Sequence, residues 1–215
     1  MPEPGSPAAG RGVIDGAFQL LRAVPQTVPG RQVAQLVRRT GLPRPTVHRL
    51  LGQLREAGAV DLVDGHWVLA ADLLRLARHV EPHAGLRESA ADILRALRAG
   101  TGAAASLVVP EQDAYVVLET VPGHMSLPVG HRPGDQLPAF TASGRVLVSP
   151  ELTGVSADHT AVHEGFTCYA VPVLLPEGRR AALQLASVDP RPADRFAPQV
   201  HRAARALQRL TARPG

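Results

Sequence analysis

The 215-residue chain contains no lysine: all 23 of its basic residues are arginine, a bias that coding composition can produce and that excludes no function. It has a single cysteine, Cys168, which rules out an internal disulfide and agrees with a reducing compartment. Its longest uncharged apolar runs, such as Val171 to Pro176, stop far short of the roughly 20 residues that cross a bilayer, so no membrane span is expected. Met1 to Gly12 is rich in Pro, Gly and Ala and lacks the basic start and apolar stretch of a secretory leader. It reads as a disordered tail on a cytoplasmic protein. Gly100-Thr-Gly102 lacks the strand-then-helix setting of a phosphate-binding loop, and no segment repeats. What remains is ordinary globular composition, 45% hydrophobic and 20% charged, with length enough for two small domains.

Charge is distributed unevenly. From Arg11 to His79 there are ten arginines against five acids, whereas from Val80 onward thirteen face thirteen. The surplus that makes the net charge +4 therefore lies toward the N-terminal end, where a polyanion would be held.

In that half, Val13 to Ala23 spaces Ile14, Phe18 and Leu21 as one stripe of an amphipathic helix, ended by Pro25. A second stripe, Val33, Ala34, Leu36 and Val37, stops at Thr40-Gly41. A third helix opens near Pro43-Arg44-Pro45, because a first-turn proline lacks only an N–H that had no helical partner. It offers Val47, Leu50, Leu51 and Leu54 to a core and ends at Gly58. Val60–Val63 and His66–Leu69 flank Asp64-Gly65, a hairpin signal.

Helix, tight turn, helix and hairpin, in that order, describe a winged helix-turn-helix over residues 13–69, whose second paired helix enters the DNA major groove. If Val47 anchors that helix, the opposite face carries Arg44, Pro45, Thr46, His48, Arg49 and Gln53. An arginine can fork onto guanine O6 and N7, and Thr46 suits a phosphate. His66 at the wing tip is placed to touch the adjacent backbone or minor groove. The competing reading is a three-helix domain whose solvated residues bind another protein.

Residues 70–85 read as a linker helix and linker, centred on Glu81-Pro-His-Ala-Gly85. Beyond it, helices are expected at Leu86–Arg98, Ala142–Val148 and Ala197–Thr211. Strands are expected at Ala104–Val109, Tyr115–Val121, Ser126–Gly130, Thr167–Val173 and Ala181–Val188. Strands and helices without strict alternation make an α+β domain over 86–215.

The run Val33-Ala-Gln-Leu-Val-Arg-Arg-Thr-Gly-Leu-Pro-Arg-Pro-Thr-Val-His-Arg-Leu-Leu51, continuing into the wing, closely resembles the IclR family of bacterial transcriptional regulators. Leu137-Pro-Ala-Phe-Thr-Ala-Ser-Gly-Arg-Val-Leu147 and Gly165-Phe-Thr-Cys-Tyr-Ala-Val-Pro-Val173 are similar to its effector-domain segments. The resemblance implies a GAF-like effector domain, homodimers that often pair into tetramers, and double-stranded DNA operators with dyad symmetry. It implies no cofactor. It places Gly144, Asp158, Cys168 and Gln184 along a small-molecule effector pocket. Three departures stand out. Val37 occupies a position where helix-turn-helix sequences usually carry a small residue. Gln184 and Ala186 stand where the family's pocket has two serines. Only a few residues separate Val148-Ser-Pro150 from Asp158 where relatives have several helical turns, so the domain reads as shortened, and a C-terminal domain that only oligomerises is the alternative.

One other cluster has the residue types for chemistry. Asp158, His159, His163 and Cys168 could supply metal ligands, or a cysteine nucleophile with a histidine base, but no local signature surrounds the cysteine. The reading adopted is polar loop residues ahead of a strand with an inert buried thiol: no metal and no enzyme.

Overall fold

The first helix is shaped by its smallest residue. In the computed structural model, which describes residues 12–80, 85–112, 114–129, 131–149 and 151–212, α1 spans Val13–Ala23, α2 Gln32–Thr40 and α3 Arg44–Glu56. A Cβ on Gly16 would stand 3.1 Å from Leu50 Cδ1, so this position lets α1 settle onto α3. The face that packs is therefore Gly16, Leu20 and Ala23. The larger stripe picked out by spacing turns outward, leaving Ile14 74% and Phe18 54% exposed. Leu20, Leu36, Leu42, Val47, Leu50 and Leu51 make the small core, with Val37 packed against it.

Gly41 ends α2 in the left-handed conformation, φ 65°, and allows the sharp reversal into α3. The wing follows as β1 (Val60–Val63) and β2 (His66–Leu69), paired antiparallel with Val63 opposite His66. Asp64 and Gly65 both have positive φ, 49° and 78°, the type I′ geometry that matches strand twist. The wing is tied down by a side chain that gave no signal in the sequence. Gln32, buried at the start of α2, donates to the Trp67 carbonyl at 2.7 Å and to Thr27 Oγ1 at 2.9 Å. Its Oε1 accepts from the Trp67 N–H at 2.7 Å. A short helix, α4 (Asp72–Ala77), completes this unit, which ends at Val80; residues 1–11 of the expected tail and 81–84 of the expected linker lie outside the described residues.

The second unit is α5 (Leu86–Thr101), β3 (Ala104–Glu111), β4 (Ala114–Val121), β5 (Gln136–Leu137), α6 (Ala142–Val148), β6 (Val155–Asp158), β7 (Phe166–Leu174), β8 (Arg180–Val188) and α7 (Ala197–Thr211). Its six strands are ordered β5-β4-β3-β8-β7-β6, all neighbours antiparallel. One sheet face, with Ala105, Leu107, Leu183 and Leu185, packs on α5 and α7. The other, with Ala104, Val108, Cys168, Ala182 and Ala186, packs on α6. Period-two alternation puts Ser106 and Gln184, a cross-strand pair, on this second face.

Two features depart from the periodicity reading. Ser126 to Val129, expected as a strand, is loop, and Gly130 lies outside the described residues. Pro128 cannot donate to a ladder, and the edge of β4 is taken instead by the two residues of β5. β6 was not anticipated, because four residues alternating buried and exposed are too few to show a period.

Replacing Gln32 with alanine removes three hydrogen bonds and strands the Trp67 amide. Urea unfolding of the Gln32→Ala variant is expected to show a loss of about 2–3 kcal/mol.

Candidate functional site

Burial of one face of α3 decides what the other can do. Val47, Leu50 and Leu51 are 0–2% exposed. On a 3.6-residue period this turns Arg44, Pro45, His48, Arg49 and Gln53 to solvent, with Thr46 half-buried at the first turn. The face presents two guanidinium groups, an imidazole and an amide, with no acid among these residues. Arg49 Nη1 donates to Gln53 Oε1 at 3.2 Å, one turn along, which holds the guanidinium along the helix rather than letting it wander. His66 is half-buried beside the wing turn. Six of the seven residues expected to meet DNA thus share one helix, and the seventh lies on the hairpin that Gln32 fastens to it.

In the C-terminal unit the four expected pocket residues do not share one surface. Cys168 is 2% exposed on β7, and burial pushes its thiol up to about 12, so almost no thiolate exists near neutral pH. Asp158 is exposed at the end of β6. Its carboxylate accepts from the Thr160 hydroxyl and from the Thr160 N–H at 2.7 Å, which holds it below the ordinary carboxylate range. Gly144 is buried in α6 against the chain before it, where a Cβ would come within 2.7 Å of Ala139 Cα. Gln184 is 1% exposed and has a partner at each end of its amide. Its Oε1 accepts from the Ser143 N–H at 3.2 Å and from Ser143 Oγ at 2.5 Å, while its Nε2 lies 3.1 Å from His131 Nε2.

Beside this cluster lies an open cavity of about 430 Å³ under the loop between β4 and β5, lined by Thr120, His124, Met125, Leu127, His131 and Arg132 among others. Its ionisable lining is basic. Ser143 and His131 were not visible in the sequence as site residues. Their one signal was position: Ser143 sits in the Thr-Ala-Ser-Gly run opening α6, and His131 in a Gly-His-Arg-Pro loop.

The side chains considered for metal or thiol chemistry disperse. His159 stacks near Phe166, with ring centroids 5.3 Å apart, and His163 Nδ1 meets the Glu164 carbonyl at 2.8 Å. Among the described residues no three His, Cys, Asp or Glu side chains gather to hold a metal ion. No described helix is long and apolar enough to cross a membrane.

A three-helix core, a chain-reversing glycine, an outward polar helix and a fastened hairpin define a winged helix-turn-helix, a DNA-binding class of domain. Residues 13–63 match the model of the IclR helix-turn-helix domain. A curated relative, "Probable transcriptional regulator SauR" of Cupriavidus necator, is 29% identical over 136 residues, 62% of this chain and 54% of that protein. The match thus spans about half the length of that relative. The whole fold is shared with an IclR-family transcriptional regulator of Brucella abortus, at TM-score 0.70 and 18% identity, covering 92% of each chain. It is shared equally with an IclR homologue of Microbacterium hydrocarbonoxydans complexed with 4-hydroxybenzoate, at TM-score 0.70 and 19% identity, covering 90% of this chain and 98% of that one. The second unit is accordingly an α+β domain.

Because the Cys168 thiol is buried and protonated, it should react with a disulfide reagent at pH 8 at least about 100-fold more slowly in the folded protein than in denaturant. Stopped-flow absorbance of the released thiolate measures this.

Proposed function

We propose that this chain is a sequence-specific transcriptional regulator whose α3 reads an inverted-repeat operator and whose C-terminal domain responds to a small molecule. The observation that carries the reading is the outward face of α3, where Arg44, Thr46, His48, Arg49 and Gln53 project from a helix anchored by Val47, Leu50 and Leu51. In this reading Arg44 and Arg49 meet base edges, Thr46 a phosphate, and His66 the neighbouring backbone or minor groove.

A homodimer supplies the two-fold symmetry that an inverted repeat requires, with half-sites about one helical turn apart. Support comes from apolar surface exposed among the described residues: Val13, Ile14 and Phe18 on α1 are 57%, 74% and 54% exposed. Leu74 and Leu76 near α4 add 71% and 63%. Patches of this kind in a soluble domain mark an interface.

For the effector, the basic cavity under the β4–β5 loop suits a small anionic molecule with an apolar body, in keeping with the aromatic acid held by the Microbacterium relative. Of the four expected pocket residues, Gln184 meets this cavity through His131. The engagement of Gln184 by Ser143 favours a second reading, in which this domain only oligomerises. Calorimetry with 4-hydroxybenzoate and short carboxylates separates the two. Heat of binding that is lost on Arg132→Ala supports a sensor, and no heat with any acid supports oligomerisation alone.

Selection of bound duplexes from a randomised pool should enrich an inverted repeat. Arg44→Ala or Arg49→Ala should each weaken binding by about 1–3 kcal/mol and relax preference at particular positions. Uniform weakening across sequences would assign the residue to phosphates instead.

Phe18→Glu places a charge in the exposed α1 face without touching the core. Sedimentation velocity should show it as monomer where the parent chain is dimer, with unchanged helical content by circular dichroism.

A further inference from the structure

The Gln184 amide has only one possible orientation. A backbone N–H can only donate, so the Ser143 N–H at 3.2 Å requires Oε1, and the Ser143 hydroxyl at 2.5 Å reinforces it. The NH2 group is therefore the atom facing His131 Nε2 at 3.1 Å, and an amide nitrogen only donates. His131 Nε2 must be the acceptor. The ring is then neutral, with its single proton on Nδ1, which is shut away from solvent, while the Val129 carbonyl favours the charged ring.

A second proton has no place in this arrangement. On Nε2 it would point at the Gln184 NH2, and the amide cannot turn over without setting that NH2 against the Ser143 N–H. The contact between β8 and the loop thus exists only while His131 is neutral. Around the ring, Asp135 favours the charged form and His159 opposes it, while burial, the largest influence, draws the imidazole below its ordinary 6.5. Arg132 and His124 line the same cavity, and Arg132 adds positive charge on that side. Asp158, next to His159, spends its carboxylate on Thr160.

The loop that His131 closes has firm ends and a bare middle. At the near end, the His124 N–H bonds the Gly102 carbonyl at 2.9 Å and Arg98 Nε reaches the Pro122 carbonyl at 3.3 Å. Past the far end, the turn 132–135 is pinned to β4 through Val117 N–H to Asp135 carbonyl, 2.9 Å. Between them, among the described residues, 125–129 exchange no main-chain hydrogen bond with one another or with the sheet.

We propose that the Gln184–His131 hydrogen bond is a proton-sensitive latch, holding residues 125–129 and His131 against β8 beside the 430 Å³ cavity while His131 is neutral and releasing them when His131 takes a proton. As regulation of effector access it rests on the effector reading given above. The latch itself operates without DNA or ligand. The sign follows from linkage: the closed form binds fewer protons, so closure is favoured above the ordinary imidazole range and lost as pH falls through it.

Hydrogen exchange of the full-length chain, followed by mass spectrometry from pH 8 to pH 5.5 and corrected for intrinsic rates, reads the latch directly. Peptides covering 122–131 should lose protection by up to about ten-fold as pH falls, while β3 and β8 stay protected. Gln184→Glu supplies the decisive variant, because a carboxylate accepts both from Ser143 and from an imidazolium. Its loop should gain protection as pH falls, and its His131 should titrate above 6.5 by NMR, where the parent titrates below. Loop exchange that ignores pH, a variant with the parent's sign, or a parent His131 that titrates at or above the ordinary value would each overturn the proposal. If Gln184→Glu does not fold, the parent titration and exchange profile decide alone. None of these readouts involves DNA, so their failure would leave the regulator reading standing, and failure of duplex selection would leave the latch standing.

Discussion

The seating of α3 by Val47, Leu50 and Leu51 is the constraint on which the N-terminal unit depends. Each buried side chain contributes about 1.5–3 kcal/mol by leaving water, and together they fix the rotation of a 13-residue helix about its axis. Nothing else is needed to send Arg44, His48, Arg49 and Gln53 outward. The same constraint reaches α1, because Gly16 lets that helix approach Leu50 closely and its bulkier residues then turn away. A core requirement in one helix thereby creates an apolar outer face on another.

The C-terminal unit is organised by a sheet that buries both faces, one under α5 and α7 and one under α6. Such a sheet leaves little room for polar side chains, so the few it encloses must satisfy one another. Ser143, Gln184 and His131 do so as a chain of donors and acceptors running from α6 through β8 to the loop. Buried Cys168 and outward Asp158 are set by the same alternation, since β6 and β7 pair with Ala157 opposite Cys168 and Asp158 opposite Thr167.

Much of this was legible in the residues. The spans of α1, α6 and α7, the Asp64-Gly65 hairpin and the reversal at Gly41 carry local signals: apolar period, a positive-φ pair, a glycine cap. Other features were not legible because their causes are distant in sequence. Gln32 bonds Trp67 across 35 positions, and Ser143 meets Gln184 across 41. The outward turn of Ile14 and Phe18 depends on what Gly16 touches, not on their spacing. Ser126–Val129 has strand-prone residues, yet the place beside β4 is already occupied by β5.

The sequence by itself determined the order of elements, the basic surplus toward the N-terminal end and the identity of the helix that presents it, because periodicity, caps and charge are local properties. Tertiary structure alone decided which face of α1 is free, what fastens the wing, and which polar groups in the C-terminal sheet find partners. The physical reason is that a hydrogen bond or a packed contact needs two groups in one place, and only the folded chain brings residues dozens of positions apart within 3 Å.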